Sequence, residues 1–183
     1  MKQNKISTHD LCKVGLFAAI IAVMAQIAIP MPYGVPMTLQ TLAIALAGIL
    51  LGAKRGALAA VLYILIGAAG VPVFANFTGG LGIVFGPTGG FILSFPLLAL
   101  AAGLGAEKSN TTLWIGLAAG TLFNYLCGVI YFSIYTSNDL LTSFSACVLF
   151  FIPTDVIKII IAGLAGMKMQ MILQTETTTR SNT

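Results

Sequence analysis

The sequence predicts an all-α fold, an integral membrane bundle of six transmembrane helices with both termini in the cytoplasm. Three observations carry that prediction. Asp, Glu, Lys and Arg make up only 8% of the 183 residues, against roughly 25% in soluble domains. Hydrophobic residues make up 58% and the mean hydropathy is +1.00. A soluble domain of this length would bury only about 70% of the surface its unfolded chain exposes, so lipid must solvate the rest. Lysine and arginine, apart from Lys158, fall at the two ends of the chain and in alternate connections between apolar runs.

A spanning helix needs about 20 mainly apolar residues, and six runs approach that length. The first, 11–29, has its uninterrupted apolar stretch from Val14 to Ile29, after Lys2, Lys5 and Lys13, as a signal peptide would. It is longer than a signal core and no clear cleavage site closes it, so it is read as a retained span. Runs 38–51 and 56–71 are short for a bilayer and call for extension into their loops or shielding by neighbours. Runs 88–106, 112–135 and 141–167 complete the set. Residues 1–10 form a cytoplasmic N-terminal segment, 11–168 the membrane domain, and 169–183, ending in "QTETTTRSNT", a polar and disordered cytoplasmic tail.

Charge sets the orientation. Lys54 and Arg55 link runs two and three, Lys108 links four and five, and Lys168 and Arg180 follow run six. The connections 30–37, 72–87 and 136–140 hold no Lys or Arg. By the positive-inside rule the basic connections and both ends face the cytoplasm, which an even number of spans requires. The outer connections are unusual. "PMPYGVPM" is stiffened by Pro30, Pro32 and Pro36. "VPVFANFTGGLGIVFGPTGG" is too apolar to stay in water, and it is expected to fold back over the bundle, where irregular backbone is tolerated around a cavity.

Polar residues inside the apolar runs mark the candidate site. Asp155 and Lys158, in "IPTDVIKIII", stand three apart and share a helix face. Each would cost about 2.5–3.5 kcal/mol at the centre of a lipid-facing helix, so both are expected to point inward, to a polar ligand or to each other. Pro153 just before them can open the backbone. Asn124 in run five needs a partner, either a neighbouring helix or a ligand. Gln40, after the proline loop, and Asn76, in the glycine-rich loop, could reach a pocket beneath those loops. Tyr33, Phe77, Phe85 and Tyr125 could wall it. Ala18 and Ala22 stand four apart on run one, as do Ala43 and Ala47 on run two, a spacing that serves close helix packing within the bundle or against a separate subunit.

Other chemistries lack their residues. "GGLG" and "GPTGG" carry no Gly-Lys-Ser/Thr ending and lie on the outer side, which argues against a phosphate loop. His9 is the single histidine, in the N-terminal segment, and there is no GxSxG elbow, so catalysis and a histidine-based metal site have no candidates. Cys12, Cys127 and Cys147 lie apart and suit packing, not metal. The basic residues form no patch for nucleic acid.

The stretch from "VPMTLQTLAIALAGILLGAKRG" through "GVPVFANFTGGLGIVFGPTGGFILSF", with "PTDVIKI" downstream, closely resembles the BioY family over about residues 10–168. BioY proteins are the biotin-specific S components of energy-coupling factor vitamin transporters. The resemblance implies a six-helix bundle in a bacterial cell membrane that captures biotin at its outer face and carries no cofactor. It implies as partners a transmembrane coupling subunit and two cytoplasmic ATPase subunits. Asp155, Lys158 and Asn76 match residues of the family's ligand site, and Ala18 and Ala22 match its docking face for the coupling subunit. Gln40, Tyr33, Tyr125, Asn124 and Phe77 are added from position. Biotin offers ureido N–H donors and a carbonyl to a carboxylate and an ammonium. With no arginine in the outer half, its carboxylate would fall to amides, hydroxyls or backbone N–H groups. A cation-coupled secondary carrier with Asp155 as proton site, and the same scaffold tuned to thiamine or riboflavin, are the alternatives.

Overall fold

The computed structural model describes residues 7–31 and 34–181, with side chains as far as Ile172 in the last helix. Each of the six apolar runs falls on helix. Helix α1 is Thr8–Ala25, α2 Gln40–Leu51, α3 Ala53–Ala68, α4 the single turn Leu81–Val84, α5 Gly89–Ala106, α6 Asn110–Thr136, α7 Leu140–Phe144 and α8 Ile152–Ser181. Local chemistry sets several ends. Ser7 caps α1 in a reciprocal box with Asp10. Ser109 caps α6. Asp139 caps α7, and hydrogen bonds from the Thr142 side chain and backbone hold its carboxyl below the usual carboxylate range.

Among the described residues, α1, α5 and α6 are long and apolar enough to cross a membrane, and α7–α8 qualify together as a span bent by 50°. Helix α2 has 12 residues and reaches only about 18 Å. It survives because neighbours cover it: α1, α3, α5 and α8 pack around it, and only Thr41, Leu46 and Leu50 escape full burial. At the basic end, Glu107 accepts the Ala53 N–H at 2.8 Å and pins the α2–α3 turn to the end of α5. Arg55 pairs with Asp10 at 3.0 Å, an exposed bridge worth little by itself.

Three details differ from the sequence expectation. Residues after α1 leave the helix early, and Ala28–Ile29 pairs antiparallel with Met37–Thr38, which closes the proline loop as a small hairpin. The last run is broken, because a π-turn at Ser145–Leu149 and Pro153 interrupt the backbone ladder between α7 and α8. The tail expected to be disordered from 169 instead continues α8 as helix to Ser181.

Candidate functional site

The bend between α7 and α8 puts Asp155 in the first turn of α8, where the helix dipole favours a negative charge. Lys158, one turn on, donates to Asp155 Oδ1 at 2.6 Å. Tyr125 of α6 donates to the other oxygen, Oδ2, at 2.5 Å. Asp155 and Lys158 are 5% and 8% exposed. Removing two charges from water costs several kcal/mol each, and the pair persists because both charges are matched and hydrogen-bonded.

These groups line a cavity of ≈ 220 Å³ at the end of the bundle opposite the basic turns, at the small end for ligand pockets, which run roughly 300–1,000 Å³. The cavity lies under the two outer loops expected to fold over the bundle. Residues 34–38 of the proline hairpin line it, as do Phe74, Ala75, Asn76 and Thr78 of the glycine-rich loop. Gln40 opens α2 at its wall. Its amide donates to Tyr63, and its Oε1 accepts from the Thr38 hydroxyl at 2.8 Å. Asn124 donates to the Phe91 carbonyl at 2.9 Å and to Ser94 Oγ at 2.7 Å, joining α6 to α5. Its role is therefore at least interhelical, with one face on the cavity.

Asp155, Lys158, Asn76, Gln40, Asn124 and Tyr125 thus converge on one cavity. Tyr33 lies outside the described residues. Phe77, at a left-handed φ of 55°, is 72% exposed and does not line the cavity. Phe85, 59% exposed, does not line it either. Ala18 is 3% exposed and packed in the core with Ile21 and Ala25. Ala22 is half-buried against the same core, while its neighbour Ala19 is exposed.

The sequence reading missed the aromatic walls. Phe74, Phe91, Phe95 and Phe151 enclose the cavity. Phe91 and Phe95 stand four apart on α5, a pattern that places them on one face. It missed Tyr63 too, which orients Gln40 and meets Phe74 edge-on with ring centroids 5.5 Å apart. It also missed Thr41, whose buried hydroxyl finds no hydrogen-bond partner among the described residues although it borders the cavity. Nothing in the sequence distinguishes Thr41 from the other threonines.

Chemically the site is an aromatic-walled chamber with a buried carboxylate and ammonium on its lining. Such groups bond strongly to a neutral ligand that offers both donors and acceptors, since water does not compete.

Comparison with known proteins agrees with this architecture. The family model described as "BioY family" matches residues 1–175. The biotin transporter BioY of Thermotoga maritima is 39% identical over 165 residues, covering 88% of this chain and 96% of the relative. The biotin transporter BioY of Rhodobacter capsulatus is 38% identical over 173 residues, covering 86% and 91%. A crystal structure of the S-component for biotin from an ECF-type ABC transporter superposes with a TM-score of 0.80 at 26% identity, over 93% of this chain and 95% of that one. A family match along nearly the whole chain, with relatives aligned almost end to end, means that the chain belongs to the BioY family.

Proposed function

We propose that this chain is the biotin-binding membrane subunit of an ATP-driven vitamin uptake transporter of the energy-coupling factor type. It is a multi-pass membrane protein and a transporter component, not an enzyme. One observation carries the reading: the buried Asp155–Lys158 pair opens onto an aromatic-walled cavity beneath the outer loops. Biotin's ureido N–H groups suit the Asp155 carboxylate, and its ureido carbonyl suits the Lys158 ammonium. The phenyl walls suit its apolar thioether ring. Asn76, exposed at the rim, is placed to meet the carboxylated tail together with backbone N–H groups.

All six helical segments cross the bilayer in this reading, with both ends cytoplasmic and the cavity facing outward. The bent α7–α8 pair counts as one crossing, α2 crosses as a short helix covered by its neighbours, and α3 as a 16-residue helix packed against α1, α2 and α5. A transmembrane coupling subunit meets the exposed side of α1 around Leu16, Ala19 and Val23, beside Ala22. Two cytoplasmic ATPase subunits supply the energy, since the chain has no nucleotide-binding motif of its own.

Equilibrium binding of tritiated biotin to the purified protein tests the assignment. Saturable binding displaced by unlabelled biotin, and not by equal concentrations of thiamine or riboflavin, is the expected result. No saturable binding, or tighter binding of another vitamin, defeats it. Tyr125→Phe removes one hydrogen bond to Asp155 while keeping the ring, so its affinity should fall about tenfold, the worth of a bond to a charged group. A titration that overlays wild type would remove Tyr125 from the site.

A further inference from the structure

The loop that lines the outer rim of the cavity is held in an unfavourable shape. Phe74 and Thr78 close it as an antiparallel bridge, the Phe74 N–H donating to the Thr78 carbonyl at 2.9 Å. Between them Asn76 and Phe77 both adopt left-handed backbone, with φ of 57° and 55°. Asparagine tolerates that region, but a bulky residue there is an outlier whose Cβ crowds the backbone. Burial does not compensate Phe77, which is 72% exposed.

One side chain from elsewhere in the fold holds this turn. Gln26 ends α1, and its amide nitrogen lies 3.2 Å from the carbonyl oxygens of Val73 and Phe74 and 2.9 Å from that of Ala22. Its Oε1 accepts the N–H of the strained Phe77 at 2.8 Å. Both ends of the carboxamide are thus engaged, and three of the four partners belong to residues 73–77. The turn so fixed sets Asn76 at the cavity rim and Phe74 in its wall, against the Tyr63 ring that orients Gln40. Gln26 itself does not line the cavity.

From this we infer that Gln26 is a positioning residue that latches the 74–78 loop into its ligand-holding shape, so that retention of the ligand depends on the contact between the end of α1 and that loop. The inference rests on the biotin-binding reading for the identity of the ligand. The latch itself stands on the hydrogen bonds and the two left-handed residues.

The test uses the full chain. Gln26→Met keeps the volume and removes all four interactions. Its biotin dissociation should quicken about tenfold, with association changed less. In the ligand-free protein the Phe77 amide should lose hydrogen-exchange protection while the amides of α2 and α5 keep theirs. Adding Phe77→Gly should return dissociation to within about threefold of wild type, since glycine takes positive φ without steric cost. A purely structural role for Gln26 would lower stability throughout and would not be rescued by a glycine at an exposed position.

Gln26→Glu retains the acceptor for Phe77 but sets a carboxylate against three carbonyl oxygens. It should also speed dissociation, which gives a second variant if the methionine protein folds poorly. Wild-type dissociation in either folded variant, or an unchanged Phe77 amide in Gln26→Met, overturns the latch. Should wild type bind no biotin, the functional proposal fails while the exchange measurement still decides the latch.

Discussion

Asp155→Asn should lower biotin affinity at least about 100-fold, the loss expected when charge-assisted hydrogen bonds in a dry site are removed. The substitution preserves shape and deletes charge. It strips Lys158 of the counter-ion 2.6 Å away and leaves a buried ammonium uncompensated, at a stability cost of about 3–5 kcal/mol. Lost binding in that variant alone could therefore reflect a damaged fold. The double variant Asp155→Asn/Lys158→Met resolves this. With both charges gone the desolvation penalty is gone too, and the thermal midpoint should return to near or above that of wild type. Biotin binding should not return. Calorimetric titration beside a thermal melt of each variant measures both quantities, and a double variant that binds like wild type would make the ion pair a packing device only.

The second large effect lies far from the ligand. Gly48→Val should leave no stably folded protein. Any Cβ at Gly48 would land on the Ala99 carbonyl of α5, and Gly56 of α3 lies hard against Gly48 itself. Helices α2, α3 and α5 meet at that point, backbone on backbone, so no flexible side chain can move aside. Overpacking typically costs about 1–3 kcal/mol, and a clash with the main chain of α5 belongs at or beyond the top of that range. Gly15→Val on α1 is the control, because a Cβ there meets nothing within 4 Å. Size-exclusion profiles in detergent should show aggregation for the first and a monodisperse peak for the second. A well-folded Gly48→Val protein would mean that α2 and α5 do not cross backbone on backbone at this point.

The residues that carry charge or an amide in an apolar context were legible before any coordinates. Asp155, Lys158, Asn124 and Gln40 are conspicuous because each costs free energy in lipid unless something polar faces it. The aromatic walls were not legible. Phenylalanine is at home on lipid, in a core or around a ligand, and composition does not separate the three. Phe77 and Phe74 lie in one loop, and nothing in their sequence context says which of them faces the cavity. In the fold Phe77, at positive φ, is exposed and Phe74 is buried at 1%. Ala18 shows the same limit on a helix. Small residues four apart permit close approach but do not say to what, and the neighbour proved to be the chain's own core. Gln26 is inconspicuous in the sequence because its partners in the 73–77 loop lie 47 to 51 residues away.

The sequence by itself determined the solvent, the helical class and the six apolar runs. Those depend on hydrophobicity summed over short stretches, where each residue contributes independently of its distant neighbours. Only the tertiary structure decided that α2 could be 12 residues long, that the last run would bend by 50° above Asp155, and that two outer loops would roof one cavity. Each of these depends on what a distant segment places alongside, and hydrogen bonds and packing contacts across more than 40 positions leave no periodicity in a linear string.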